Sequence, residues 1–67
     1  MQVNREDVAM AVKTYRLRQG LTQRQLGERW GMSRYTIIRI ESGKPISWEM
    51  AYKVFAKLSE ELKNEEL

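Results

Sequence analysis

The sequence has neither cysteine nor histidine in its 67 residues. These absences exclude disulfides, Cys/His zinc sites and any mechanism with histidine as the base. Long apolar runs are also missing, since the first apolar stretch covers only residues 8–12 and follows Glu6 and Asp7. This stretch is too short for a signal peptide, and no segment approaches the ~18 residues of a membrane span. We therefore expect no metal site and no membrane partner.

The length of the chain limits what its core can hold. We expect residues 1–67 to form one domain with a small core. Such a core leaves little room for a ligand cavity, and the sequence has no glycine-rich phosphate-binding loop. We therefore predict no catalytic residues, no cofactor and no small-molecule ligand, and we expect a protein that is not an enzyme.

Positive charge is concentrated in the middle of the chain. The net charge is +3, but residues 13–44 hold eight basic and two acidic side chains, which gives this segment +6. Residues 1–12 sum to −1 and residues 45–67 to −2. A basic middle between acidic ends indicates a surface for an anionic partner, and the alternative is a solvated charged surface. We expect the acidic tail, residues 59–67, to be solvated.

Apolar spacing and capping residues predict an all-α chain with four or five helices. The first helix is expected over about 5–19, the second over about 23–30, and the third from 34 to about 42. A fourth helix should begin after Ser47. It either continues with a frayed end or restarts at Ser59 as a short fifth helix, and we favour the continuous helix.

Polar residues and glycines mark the ends of these helices. The expected N-caps are Asn4, Thr22, Ser33 and Ser47. Thr22 and Gln25 have the spacing of a capping box. Glycines that should end the first three helices are Gly20, Gly31 and Gly43. Gly27 and Gly31 lie where two helices must approach closely or the chain must take a positive φ.

The apolar residues at helical spacing form the predicted core. They are Val8, Ala11, Val12, Tyr15, Leu21, Leu26, Trp30, Met32, Ile37, Ile40, Ala51, Val54, Phe55, Leu58 and Leu62. Ile38 lies one position off this face, and it could contact a binding partner, pack on the fourth helix or be exposed. Trp48 and Tyr52 either pack within the monomer or are buried by a partner subunit.

The stretch QRQLGERWGMSRYTIIRIES, residues 23–42, resembles the helix-turn-helix of the phage repressor/Cro type, the XRE family. A Thr-Gln pair opens the second helix, Gly27 and Gly31 occupy the fifth and ninth motif positions, and the closing Ile-Glu-Ser-Gly-Lys also matches. The resemblance covers about residues 8–58. It implies a compact lambda-repressor-like fold in which the second and third helices form the helix-turn-helix, residues 22–43.

The resemblance also implies roles for particular side chains. The third helix of such a domain lies in the major groove of DNA. The residues that we predict to contact bases are Arg34, Tyr35 and Arg39. Those predicted to contact phosphates are Gln23, Arg24, Ser33 and Lys44, although Ser33 could serve only as a cap. The family often pairs an arginine late in the first helix with the glutamate that closes the third, and this predicts an ion pair between Arg16 and Glu41.

The function implied is that of a sequence-specific regulator of transcription that binds double-stranded DNA. The simplest form is a homodimeric repressor at a pseudo-palindromic operator, encoded by a bacterium, phage or mobile element and located at the nucleoid in the cytoplasm. The alternative is a helix-turn-helix used as a protein-interaction module, or an antitoxin in a toxin–antitoxin complex. The basic middle segment favours DNA.

Overall fold

A computed structural model describes residues 4–65 of the chain, and the side chains of residues 4–61. In this part the secondary structure consists of four helices: α1 (Arg5–Arg18), α2 (Gln23–Trp30), α3 (Arg34–Glu41) and α4 (Trp48–Glu65). The all-α prediction is confirmed. The fourth helix is continuous through Ser59, so no fifth helix begins there. None of the helices between residues 4 and 65 has the length and apolar character needed to cross a membrane.

Side chains cap the start of every helix at the predicted position. Asn4 Oδ1 accepts a hydrogen bond from the Glu6 amide at 2.8 Å. Thr22 and Gln25 form the reciprocal capping box, with N–O distances of 3.1 and 2.9 Å. Ser33 and Ser47 accept from the amides three residues later. Each bond satisfies an amide that has no partner within its helix, so these short polar signals fix where the helices begin.

The turn between α2 and α3 depends on two glycines. Gly31 has a φ of 69°, in the left-handed region that favours glycine. A Cβ added at Gly27 would lie 2.6 Å from the carbonyl oxygen of Met32, which is closer than any side chain permits. The Met32 amide donates to the Gly27 carbonyl at 2.7 Å, so the turn folds directly back onto α2.

The core lies where the inner faces of all four helices meet. Its buried members are Val8, Val12, Tyr15, Leu26, Trp30, Ile37, Ile40, Val54 and Leu58. Leu21 and Met32 pack against this cluster while remaining partly exposed. The rings of Tyr15 and Trp30 stack with centroids 5.8 Å apart, which joins α1 to α2.

Two core predictions are wrong. Phe55 is 39% exposed, because α4 turns Val54 and Leu58 towards the core and Phe55 lies 100° further round the helix. In α1, Ala11 is exposed and Ala9 is buried in its place, beside Val12 on the same helical face. We also predicted that Leu62 belongs to the core and that the acidic tail is solvated. The side chain of Leu62 and the end of the tail lie outside the described residues.

Candidate nucleic-acid interface

The outer surface of α3 carries two of the predicted base-contacting residues side by side. Ile37 and Ile40 anchor the opposite side of this helix in the core. Tyr35 is 72% exposed, and the guanidinium carbon of Arg34 lies 5.6 Å from the centre of its ring. This distance is in the range of a cation–π contact, which limits the freedom of both side chains. The structure therefore brings Arg34 and Tyr35 together on the exposed part of α3.

Arg39 is exposed but is already bonded within the protein. Its Nη2 donates to the Pro45 carbonyl oxygen at 2.9 Å, which ties the last turn of α3 to the connector that leads into α4. A guanidinium has five N–H donors, so this bond leaves others for a ligand. Arg39 thus both positions the connector and presents positive charge beside it.

The four predicted phosphate contacts have different local partners. Gln23 Nε2 lies 3.4 Å from Glu41 Oε1, at the start of α2. Ser33 caps α3, and its hydroxyl also lies 3.0 Å from the hydroxyl of Thr36. Arg24 forms an exposed ion pair with Glu28 at 3.4 Å. Lys44 has an exposed side chain, while its backbone amide donates to the Arg39 carbonyl. Ser33 therefore performs the capping role, and its hydroxyl is exposed.

Arg16 and Glu41 form a bidentate ion pair between α1 and the end of α3. Arg16 Nε lies 2.7 Å from Glu41 Oε2, and Arg16 Nη2 lies 3.0 Å from Glu41 Oε1. The third nitrogen, Nη1, donates to the Leu21 carbonyl oxygen at 2.9 Å. The side chains are 13% and 5% exposed. With Gln23 at the same carboxylate, this cluster links α1, α2 and α3, and we call it the Arg16–Glu41 clasp.

The clasp stabilises the charged form of Arg16. The hydrogen bonds to Glu41 raise the pKa of Arg16 above its ordinary value, and the negative charge of Glu41 adds to this effect, while burial opposes it. An arginine guanidinium stays charged in proteins in any case, and the hydrogen bonds to Glu41 favour this charged form further. It acts as a permanent positive partner for Glu41 and fixes the C-terminal end of α3 relative to α1.

Sequence reasoning missed three features of this region. Thr36 lies one turn after Ser33 on the same side of α3, and that three-residue spacing was the available signal. Arg29 of α2 donates to the hydroxyl of Tyr15 in α1 at 3.1 Å. No sequence pattern indicates the hydrogen bond from Arg39 to the Pro45 carbonyl, because this bond depends on the path of the connector between α3 and α4.

Trp48 and Tyr52, which were expected either to pack within the monomer or to be buried by a partner subunit, are both exposed. Trp48 is 84% and Tyr52 is 74% exposed, so packing within the described part of the monomer is ruled out for both. They lie one turn apart near the start of α4, and we call them the aromatic surface. Ile38 is half-buried, so it is not simply exposed, while contact with a thymine methyl of a DNA partner and packing on the fourth helix both stay open.

One comparison with known proteins identifies a family. A family model described as a helix-turn-helix domain matches residues 7–59, which is most of the chain. This range contains α2, α3 and the turn between them, and it agrees with the resemblance to Cro-type domains. A search of curated proteins found no match to the sequence.

Proposed function

Because this chain belongs to the helix-turn-helix domain family, we propose that it regulates transcription by sequence-specific binding to double-stranded DNA. The observation that carries the proposal is the exposed basic surface of α3. Arg34 and Tyr35 lie in the N-terminal half of this helix, the part that contacts base edges when such a helix enters the major groove. The segment around them, residues 13–44, has a net charge of +6.

Direct contact with bases is assigned to Arg34, Tyr35 and Arg39. An arginine can donate two parallel hydrogen bonds to O6 and N7 of guanine, and each such pair is worth about 1–3 kcal/mol of discrimination between bases. Tyr35 can donate to a phosphate or contact a thymine methyl. Arg39 reaches the DNA with the donors that its bond to Pro45 leaves unused.

Contacts with phosphates are assigned to Gln23, Arg24, Ser33 and Lys44. Gln23 lies at the N-terminus of α2, where free amides and the helix dipole favour an anion. Arg24 is an exposed cation in the first turn of α2, and Lys44 is an exposed cation shortly after the end of α3. These contacts would hold α3 in register on the duplex without selecting its sequence.

We further propose that the protein acts as a homodimeric repressor in the bacterial cytoplasm, encoded by a phage, mobile element or host. A two-fold dimer would bind two half-sites about 34 Å apart in a pseudo-palindromic operator. The aromatic surface is the proposed subunit contact, because two large aromatic side chains one turn apart are uncovered. The same surface is the observation that favours the alternative function, docking onto another protein, including a toxin.

The proposal is tested by two substitutions with different expected effects. Arg34→Ala should reduce the preference for the selected DNA site by about 1–3 kcal/mol, because a base contact is lost. Lys44→Ala should weaken binding to all duplexes alike and lower the slope of log K against log salt by about 0.9, because one phosphate contact is lost. Gel-shift titrations over a range of salt concentrations measure both effects.

Two results would reject the assignments. If Arg34→Ala bound the selected site as tightly as wild type, α3 would not contact the bases through this residue. If the unmodified protein failed to bind duplex DNA even at low salt, while remaining folded, docking onto a protein would become the better account. Arg5→Ala removes an exposed positive charge from the start of α1 and serves as the control.

A further inference from the structure

An open furrow runs between α3 and the first half of α4. It consists of two adjoining grooves, of about 470 Å³ and about 160 Å³. Thr36 and Met50 line both grooves, so the two lie next to each other. The wall formed by α3 contains Ser33, Thr36 and Arg39, which follow each other at three-residue steps on one side of the helix. We call this feature the α3–α4 furrow.

The opposite wall of the furrow is positively charged. Lys53 and Lys57, one turn apart on α4, line the larger groove, and Ser47 lines the smaller one. Lys53 is exposed and Lys57 is half-buried. Neither lysine forms an ion pair with any of the described side chains. Among the side chains of residues 4–61, none that lines either groove is acidic. Residues 45–67 carry a net negative charge, yet two of their lysines, Lys53 and Lys57, line the same groove.

The polar groups of the two walls match the chemistry of a phosphodiester strand. The α3 wall offers the hydroxyls of Ser33 and Thr36, and the α4 wall offers two ammonium groups. Arg39, which contacts bases in the proposed function, adds positive charge at the end of the α3 wall. Between the two walls lies the apolar side chain of Met50, which suits the sugar carbons of a nucleic-acid backbone. Lysine, arginine, serine and threonine are common donors to phosphate oxygens in protein–DNA complexes.

We propose that the α3–α4 furrow holds one sugar–phosphate strand of the duplex, with Lys53 and Lys57 as phosphate contacts. The inference rests on the proposed function, in which α3 enters the major groove. That groove is about 12 Å wide and a helix with its side chains is about 10–12 Å across, so α3 fills it. The strand that borders the groove must then run alongside α3. The element beside α3 at the furrow is α4, which therefore lies over this strand.

The test compares two double variants that lose the same charge. Lys53→Ala/Lys57→Ala removes the furrow lysines, and Arg5→Ala/Lys13→Ala removes two cations of α1 that do not line the furrow. Binding to a fluorescent 20-base-pair duplex of mixed sequence is measured by anisotropy between 50 and 200 mM salt. A mixed sequence is sufficient because phosphate contacts do not depend on sequence.

The furrow variant should lose about 1.8 from the slope of log K against log salt, at about 0.9 for each phosphate contact. Over the fourfold change in salt, its affinity should therefore fall about 12-fold less than that of wild type. The α1 variant should keep a slope close to wild type. Lys53→Arg/Lys57→Arg should restore the wild-type slope, and circular dichroism melting should show that all variants are folded.

The outcomes separate this inference from the function on which it rests. Suppose that the affinity of wild type depends steeply on salt and that Lys44→Ala lowers this slope. If the furrow variant then has the same slope as the α1 variant, DNA binding is supported but the furrow holds no strand. If wild type does not bind the duplex at 50 mM salt, both proposals fail. If the furrow variant alone loses slope and the arginine variant restores it, the strand lies in the furrow.

Discussion

Replacing Glu41 with alanine should destabilise the protein strongly, because Arg16 would keep its charge on a side chain that is 13% exposed. Wild-type Glu41 accepts two hydrogen bonds from Arg16, at 2.7 and 3.0 Å, and lies 3.4 Å from Gln23 Nε2. The variant would lose all three interactions. Among the described residues, the guanidinium would keep its bond to the Leu21 carbonyl oxygen and no other.

The expected loss is about 3 kcal/mol, the lower end of the range for breaking a buried ion pair, because water retains some access to Arg16. A folded chain of this length has a total stability of about 3–10 kcal/mol, so the loss would be a large fraction of it. For a small domain each kcal/mol lowers the Tm by about 4–8 °C, so the Tm should fall by about 12–24 °C.

Glu28→Ala is the matched control for this experiment. Glu28 also pairs with an arginine on its own helix surface, but at 3.4 Å and with side chains that are 77% and 67% exposed. An exposed pair at this spacing contributes about 0.3–0.5 kcal/mol, so its loss should change the Tm by a few degrees at most. Thermal melting followed by circular dichroism measures both variants. Equal Tm values for Glu41→Ala and Glu28→Ala would refute the role given to the clasp.

The pH dependence of stability cannot replace this mutational test. The pKa of Arg16 is raised in the folded protein, so the charged side chain contributes fully to the free energy of unfolding below the pKa that it has in the unfolded chain. The contribution disappears only as the pH rises through the raised value, which lies beyond the range of ordinary melting experiments. We therefore expect no loss of stability from deprotonation of Arg16 between neutral and moderately alkaline pH.

Two further substitutions test the turn and the aromatic surface. Gly27→Val should cost about 1–3 kcal/mol or more in thermal melts, because its Cβ would meet the Met32 carbonyl at 2.6 Å. Ala11→Val, at an exposed position of α1, controls for the effect of placing a β-branched residue in a helix. If both variants lost the same stability, the close approach at Gly27 would not be the cause. Trp48→Ala should weaken self-association in sedimentation equilibrium, since Trp48 is 84% exposed in the monomer. Met10 is 70% exposed on α1, and Met10→Ala should leave self-association unchanged. If Trp48→Ala also left self-association unchanged, the aromatic surface would not be the dimer contact.

The local parts of the fold were predictable from the sequence. A cap such as Thr22 with Gln25 needs only neighbouring residues, so its spacing determines where α2 begins. The closing of the turn is also local, since Gly27 and Gly31 lie within the stretch that they shape. For these features the sequence contains the whole physical cause.

Features that depend on how helices lie against each other were harder to predict. Phe55 and Val54 are adjacent apolar residues of α4, and only the rotation of that helix decides that Val54 is buried and Phe55 is not. The bond from Arg39 to Pro45 and the α3–α4 furrow depend on the path of the connector. Lys53 and Lys57 belong to an acidic segment, so charge counting along the chain concealed their position across the furrow from Ser33 and Thr36.

Selection of bound sites from a random pool of duplex DNA tests the proposed function most directly. We predict enrichment of a pseudo-palindrome whose half-sites lie about one helical turn apart. In a parallel selection, Arg34→Ala should lose the preference at one base position of each half-site and keep the others. Failure of the folded wild-type protein to enrich any sequence would contradict the account, and so would an unchanged motif for Arg34→Ala.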